Sequence, residues 1–245
     1  MGKIIAVVSG KGGTGKTSFT ANVGLALAHM GCRTLCVDCD ITLRNLDLAL
    51  DLSDSAMMDF SDVALGRCTL EEAVAKHRRY PKLHLLTAPQ SDAALALTKR
   101  QLHRLCDDIH AQYDYCLVDA PAGLGLGFRM ATYFADSVIV VTTTDTSALR
   151  DAQHTVMELS RFPQGTVHLV VGRVHKRLLR QLHTTIDDAI DMAGLPLLGV
   201  VPEDLDVPRC LNRGVPLREC NFYAARAYEN IARRITGQRV RLMRI

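Results

Sequence analysis

The sequence predicts an α/β fold, a doubly wound and mostly parallel sheet with helices on both faces. Three observations carry that expectation. Short runs at residues 4–8, 34–37, 83–86, 115–118, 137–141, 167–171 and 197–201 are apolar almost without interruption, as strands covered on both sides are. Longer stretches with helical period separate several of them, at residues 15–29, 99–111, 148–160 and 178–193. A glycine-rich segment joins the first strand directly to the first helix, the order that a parallel βαβ unit requires.

The elements follow in chain order. The run at 4–8 enters the glycine segment, and the helix after it ends before Gly31, a residue suited to a helix C-cap. The run at 34–37 contains Cys36, which in such a setting behaves as a small buried hydrophobe. The 99–111 helix leads into the run at 115–118, and the 148–160 helix separates two further strands. Gly194 closes the last of these helical segments before the run at 197–201. No repeat or Ser/Gly linker interrupts the series, so residues 1–245 read as one domain with a short basic tail at 238–245.

Composition sets the class. With 48% hydrophobic and 22% charged residues, the chain is neither disordered nor low-complexity. A chain of 245 residues buries about 70–75% of its unfolded surface and needs no covalent staples. The N-terminal apolar run is too short for a signal peptide, and Ala6 stands where a myristoylation signal wants Ser or Thr. No stretch reaches the ~18–20 apolar residues that span a bilayer. The expected location is therefore cytoplasmic, with the eight Cys reduced. The net charge of +3 conceals an asymmetry, because residues 226–245 carry six Arg against Glu229 alone.

Residues 10–18 read Gly-Lys-Gly-Gly-Thr-Gly-Lys-Thr-Ser and fit G-x-x-x-x-G-K-[ST] between a strand and a helix. Backbone N–H groups at Gly12, Gly13, Thr14 and Gly15 can curl around phosphate oxygens, aided by the helix N-terminus. Lys16 is placed for the β- and γ-phosphates, Thr17 for Mg²⁺ and Ser18 for the α-phosphate. The sequence around 36–40, Cys-Val-Asp-Cys-Asp, ends one strand, and that around 117–123, Leu-Val-Asp-Ala-Pro-Ala-Gly, ends another. In an open sheet, ligands lie beyond the carboxyl ends of the strands. Asp119 is accordingly a candidate Mg²⁺ ligand, directly or through water, with Asp38 beside it. Asp40 is the candidate for orienting the attacking water, and Pro121 and Gly123 suit a phosphate-sensing switch.

Lys11 makes the loop Lys-Gly-Gly-Thr-Gly-Lys-Thr, and here the sequence resembles the MinD/ParA family of deviant-Walker-A P-loop ATPases. The stretch from Asp38 to Asp47 is similar to the signature D-x-D-x-G-L-R-N-L-D of its MinD branch, with Thr42 in place of Gly. Further similar segments are 85–90, 119–123, 131–136, 147–151 and 201–204, so the resemblance spans residues 3–236. It implies ATP and Mg²⁺ as cofactors and ATP hydrolysis. It also implies an ATP-dependent homodimer in which Lys11 reaches the partner's phosphates, and a role in placing the division site. Arg173, Pro202 and Asp204 are the implied nucleoside contacts, although Gly172 stands where the family often has a base-reading Asn. Alternatives on the same scaffold are a flagellar-number regulator, a ParA-type partitioning protein, or a metabolic or iron–sulfur carrier relative.

The family's MinD branch ends in a linker and an amphipathic membrane helix, and the sequence given stops about where that linker begins. The tail admits three readings. It can bind an anionic membrane peripherally at the inner face, bind DNA through a basic stripe, or remain a solvated end. A regulatory protein partner is expected from the resemblance. Cys36 and Cys39 form C-x-x-C, for which packing of a Cys in the core is the expected role rather than a cluster. His103, Cys106 and His110 share one face of the 99–111 helix and read as a polar surface. His175, Lys176 and Arg177 read as a solvated helix start.

Overall fold

The computed structural model describes residues 2–53, 58–89, 97–133, 135–175, 179 and 185–243. Its strands are β1 (Lys3–Val8), β2 (Thr34–Asp38), β3 (Ala75–Lys76), β4 (Leu83–Leu86), β5 (Tyr115–Asp119), β6 (Ser137–Thr142), β7 (Val167–Val174) and β8 (Leu197–Pro202). They form one sheet in the order β3-β4-β2-β5-β1-β6-β7-β8. Every pairing is parallel except that of the two-residue edge strand β3 with β4. The parallel doubly wound expectation is met.

Helices cover both faces. Among the described residues they are α1 (Lys16–His29), α2 (Leu46–Ala49), α3 (Phe60–Ala64), α4 (Leu70–Ala73), α5 (Lys99–Gln112), α6 (Leu126–Tyr133), α7 (Thr146–Glu158), α8 (Ile186–Ala193), α9 (Asp206–Asn212), α10 (Leu217–Cys220) and α11 (Phe222–Ile235). One apolar layer joins α3, α5, α6, α7 and α8 to the sheet through Phe60, Leu105, Phe128, Leu149 and Ala189. The other joins α1, α9, α10 and α11 through Phe19, Leu27, Val207, Leu217 and Ile231. Side chains alternate between the layers along the central strands, as the two-residue strand period dictates. In β1, Ile4, Ala6 and Val8 face one layer, and Ile5 and Val7 face the other.

Local chemistry explains several helix starts. Thr98 and Gln101 form a capping box for α5, and Thr185 and Asp188 form one for α8. Asn221 accepts from the N–H groups of Tyr223 and Ala224 to start α11. Helix α1 starts instead from Gly15 in the left-handed region, and no side chain caps it. Its first N–H groups are left facing the loop.

Several boundaries depart from the sequence reading: β7 runs on to Val174, and α7 lies two residues earlier than expected. Of the helix expected at 178–193, Ile186–Ala193 is described and starts from the Thr185 cap, while residues 178 and 180–184 lie outside the described residues. Lys176 and Arg177 of the His175 cluster, Gln90 of the 85–90 segment, Phe134 of the 131–136 segment and the last tail residues Arg244 and Ile245 also lie outside them. The basic C-terminal stretch is not one unit either. Arg226 to Ile235 belongs to α11, whose Ala227, Tyr228 and Ile231 are core residues. Only the residues after it form the irregular tail.

Candidate active site

Strand order builds the site. Strand β5 lies between β2 and β1, and Asp38 is in register with Asp119, which is in register with Val7. The carboxyl ends of three central strands thus deliver both acids and the glycine loop to one place, as open α/β sheets do. In the loop, Gly13 and Gly15 hold φ of 79° and 89°. That left-handed backbone disfavours side chains and turns successive N–H groups inward.

Lys16 and Asp119 are the centre of the charge arrangement. They are 8% and 2% exposed, and their ammonium and carboxylate are 3.2 Å apart. The hydroxyls of Thr17 and Thr20 also donate to Asp119, at 2.7 and 3.2 Å. Burial pushes the Asp119 carboxyl upward, against the pull of Lys16 and these hydrogen bonds. Thr20 was not among the sequence candidates. Its position one helical turn after Lys16 is the signal that points to it.

Asp38 is 2% exposed and accepts from the backbone N–H groups of Asp40 at 2.8 Å and Leu46 at 3.2 Å. Burial first, then the charge of Asp119, pushes its carboxyl up to about 7. It therefore pins the segment after β2 as well as bordering the site. Asp40 lies further out, where one carboxylate oxygen accepts from the N–H groups of Thr42 and Leu43, both at 3.0 Å. In this segment Arg44, not Thr42, takes a positive φ, of 39°. The loop accommodates Thr at the position where the family signature has Gly.

Lys11 is exposed, and its ammonium donates to the Ser147 hydroxyl at 3.0 Å, across from the start of α7. Ser147 stands in one of the family-like segments, yet no sequence pattern pairs it with Lys11. Beyond the loop lies a cavity of about 430 Å³ lined by Gly13, Thr14, Gly15, Ser18, Gly172, Arg173, Pro202 and Asp204, among others. Lys16, Thr17 and Asp119 are not in its wall. Arg173, at a φ of 52°, donates to the Gly13 carbonyl and pairs with Glu203, each at 2.9 Å. Asn221 holds Asp204 at 2.9 Å and Asp206 at 3.0 Å. Glu203 and Asn221 were missed because their roles arise from contacts between distant segments.

Other constellations separate. Cys36 faces one apolar layer and Cys39 the other, so they do not form a pincer. His103 bonds to Tyr133 and His110 to Asp136, while Cys106 is buried.

The residues present fit a magnesium nucleotide. The uncapped helix start, the inward N–H groups and Lys16 suit phosphate. Two buried carboxyls held upward by burial suit a divalent cation, which would relieve both. The buried Thr14 hydroxyl has no hydrogen-bond partner among the described residues. A bound Mg²⁺-nucleotide would supply the phosphoanhydride bond and the cation that offsets its charge.

Comparison with known proteins agrees. A family model described as an AAA domain matches residues 2–166. The chain is 38% identical to a septum site-determining protein MinD of Synechocystis over 97% of this chain and 91% of the relative. It is also 38% identical to the Bacillus subtilis protein of the same name, over 99% and 92%. The MinD chain of the MinC:MinD cell division complex of Aquifex aeolicus superposes with a TM-score of 0.90 at 32% identity, covering 99% and 98% of the two chains. A Pyrococcus horikoshii MinD complexed with Mg-ADP superposes with a TM-score of 0.83 at 31% identity, covering 96% of each. A Chlorobium tepidum ParA family ATPase, at 22% identity and a TM-score of 0.77, shares the fold. With 38% identity over nearly the whole of both chains, the chain belongs to the MinD branch of the MinD/ParA family of P-loop ATPases, the enzymes of division-site placement.

Proposed function

We propose that this chain acts as a nucleotide-gated switch whose working form is a homodimer assembled face to face on ATP. The contrast between its two loop lysines carries this reading. Lys16 is buried and committed to Asp119 of its own chain, whereas exposed Lys11 is engaged by a neutral hydroxyl. A cation held that lightly can swing to a partner's phosphates, and charge supplied across an interface accelerates phosphoryl transfer by 10³–10⁵ in the best-studied cases.

The remaining roles follow from position. Gly12, Gly13, Thr14, Gly15 and Ser18 cradle the phosphates, and Lys16 neutralises the β- and γ-oxygens. Thr17, Asp38 and Asp119 hold Mg²⁺, directly or through water, and Asp40 orients the attacking water. Arg173, Pro202 and Asp204 enclose the nucleoside. Hydrolysis then separates the protomers. The dimer presents surfaces to a regulatory protein, of the kind that accompanies MinD in the Aquifex complex, and to an anionic membrane through the basic tail.

Light scattering with Mg-ATP, beside steady-state turnover, tests the dimer. The wild type is expected to dimerise with ATP and not with ADP. Lys11→Ala is expected to bind ATP yet stay monomeric and lose on the order of 10³-fold in turnover. Asp40→Ala is expected to accumulate as the ATP dimer. Unchanged turnover in Lys11→Ala removes the cross-dimer role.

A further inference from the structure

We infer that Cys210 and Cys220 form a redox-active dithiol, which small-molecule disulfides convert to a disulfide bond that braces α9 against α10. All eight cysteines are free thiols, and only Cys220 is exposed. It ends α10, whereas Cys210 lies in α9, 3% exposed, in the apolar layer that also holds Val207 and Leu217. The activity proposed above uses neither thiol.

Contacts on either side set the two sulfurs together. Val215 donates its N–H to the Cys210 carbonyl at 3.0 Å, so the chain turns back on α9 before α10 begins. Asp206 and Cys210 are four residues apart and share one face of α9. Asn221, the residue after Cys220, donates to Asp206 at 3.0 Å and docks the end of α10 on that face. The Cys220 thiol thereby comes into hydrogen-bonding contact with that of Cys210. Two thiols in contact on short helices, joined only by residues 213–216, need a small approach to reach an S–S bond of about 2.05 Å.

The two environments order the reaction. Burial, then the hydrogen bond with Cys220, pushes the Cys210 thiol upward, so it stays protonated and does not react first. Exposed Cys220 attacks, as thiolate, one sulfur of an external disulfide such as oxidised glutathione, and one glutathione thiolate leaves. Cys210 then attacks the Cys220 sulfur, and its proton goes to the second departing glutathione thiolate. The two protein thiols lose two electrons and two protons, and the external disulfide gains both as two thiols. The new bond closes a short loop and ties α10 to α9, whose Val207 and Pro208 line the 430 Å³ cavity.

The test incubates the full-length folded protein with oxidised glutathione and maps its cysteines by trypsin digestion and mass spectrometry. Trypsin cuts after Arg209, Arg213, Arg218 and Arg226, so the bond is expected to join peptides 210–213 and 219–226 until dithiothreitol separates them. The oxidised wild type is expected to melt about 2–4 °C above the reduced protein. Cys220→Ser, a change at an exposed position, is expected to abolish both the joined peptides and the rise. Cys210→Ser is expected to accumulate the mixed disulfide of Cys220 with glutathione that the wild type only passes through. Absence of the joined peptides from the oxidised wild type overturns the inference, as does preferential pairing of Cys220 with Cys32 or Cys68. An unchanged or lower melting temperature in the cross-linked protein overturns the brace.

Discussion

Asp119 collects Lys16, Thr17 and Thr20 within 3.2 Å, in a place water hardly reaches. Such a pair contributes little net stability, but breaking it is costly, about 3–5 kcal/mol, because one charge is left buried and uncompensated. Lys16→Met is therefore expected to destabilise the nucleotide-free protein by about 3 kcal/mol in urea unfolding. The double variant Lys16→Met with Asp119→Asn is expected to recover at least half of that loss. Additive losses in the double variant would show that the two groups do not compensate each other. The identities of Lys16, Thr17 and Asp119 were legible, because a motif placed each at a strand or helix end. Their mutual contact was not, since 103 residues separate Lys16 from Asp119. Thr20, Ser147, Glu203 and Asn221 escaped for the same reason, as each acts through a partner that sequence distance hides.

Elements were most legible where both faces are buried. Strand β5 was read to within one residue and α5 likewise, because apolar runs and helical periods are long there. The short α2, α3, α4 and α10 have four or five residues each, too few to show a period, and β3 has two. Helix α11 was obscured by its arginines, of which Arg226 and Arg233 are exposed while Arg234 turns to the sheet, on a helix whose alanines pack inward. Packing between α1 and β2 gives this scale its prediction. Gly24 sits mid-helix, where alanine normally stabilises by about 1 kcal/mol. Here a Cβ would lie 2.6 Å from the Cys36 sulfur, itself fully buried. Gly24→Ala is expected to cost about 1–3 kcal/mol through overpacking. Adding Cys36→Ala is expected to make Gly24→Ala neutral or favourable, a coupling that a double-mutant cycle measures directly. The same pair shows why C-x-x-C was a poor guide, since three strand positions carry Cys36 and Cys39 to opposite layers.

At the scale of the molecule, the question is how a switch at one end of the sheet reaches a surface. The tail after α11 is irregular over its described residues and is fastened to the body, because Arg234 donates twice to the Val240 carbonyl, at 3.2 and 2.9 Å, and once to that of Leu198. Leu242 is half exposed, with Arg239 and Arg241 exposed beside it. No helix among the described residues is long and apolar enough to cross a membrane. Under the proposed reading, one such tail would be a weak ligand for an anionic bilayer, with each Arg contributing about 1 kcal/mol near the surface. Two tails on the proposed dimer would bind far more strongly, because the second attachment is intramolecular. Sedimentation with phosphatidylserine-containing vesicles should therefore require ATP, fall with added salt and fail with ADP. Deleting residues 238–245 should abolish sedimentation while leaving ATP-dependent dimerisation intact. Sedimentation of the deletion variant would move the membrane contact to another surface, and capture of the wild type by DNA instead of vesicles would assign the basic stripe to nucleic acid.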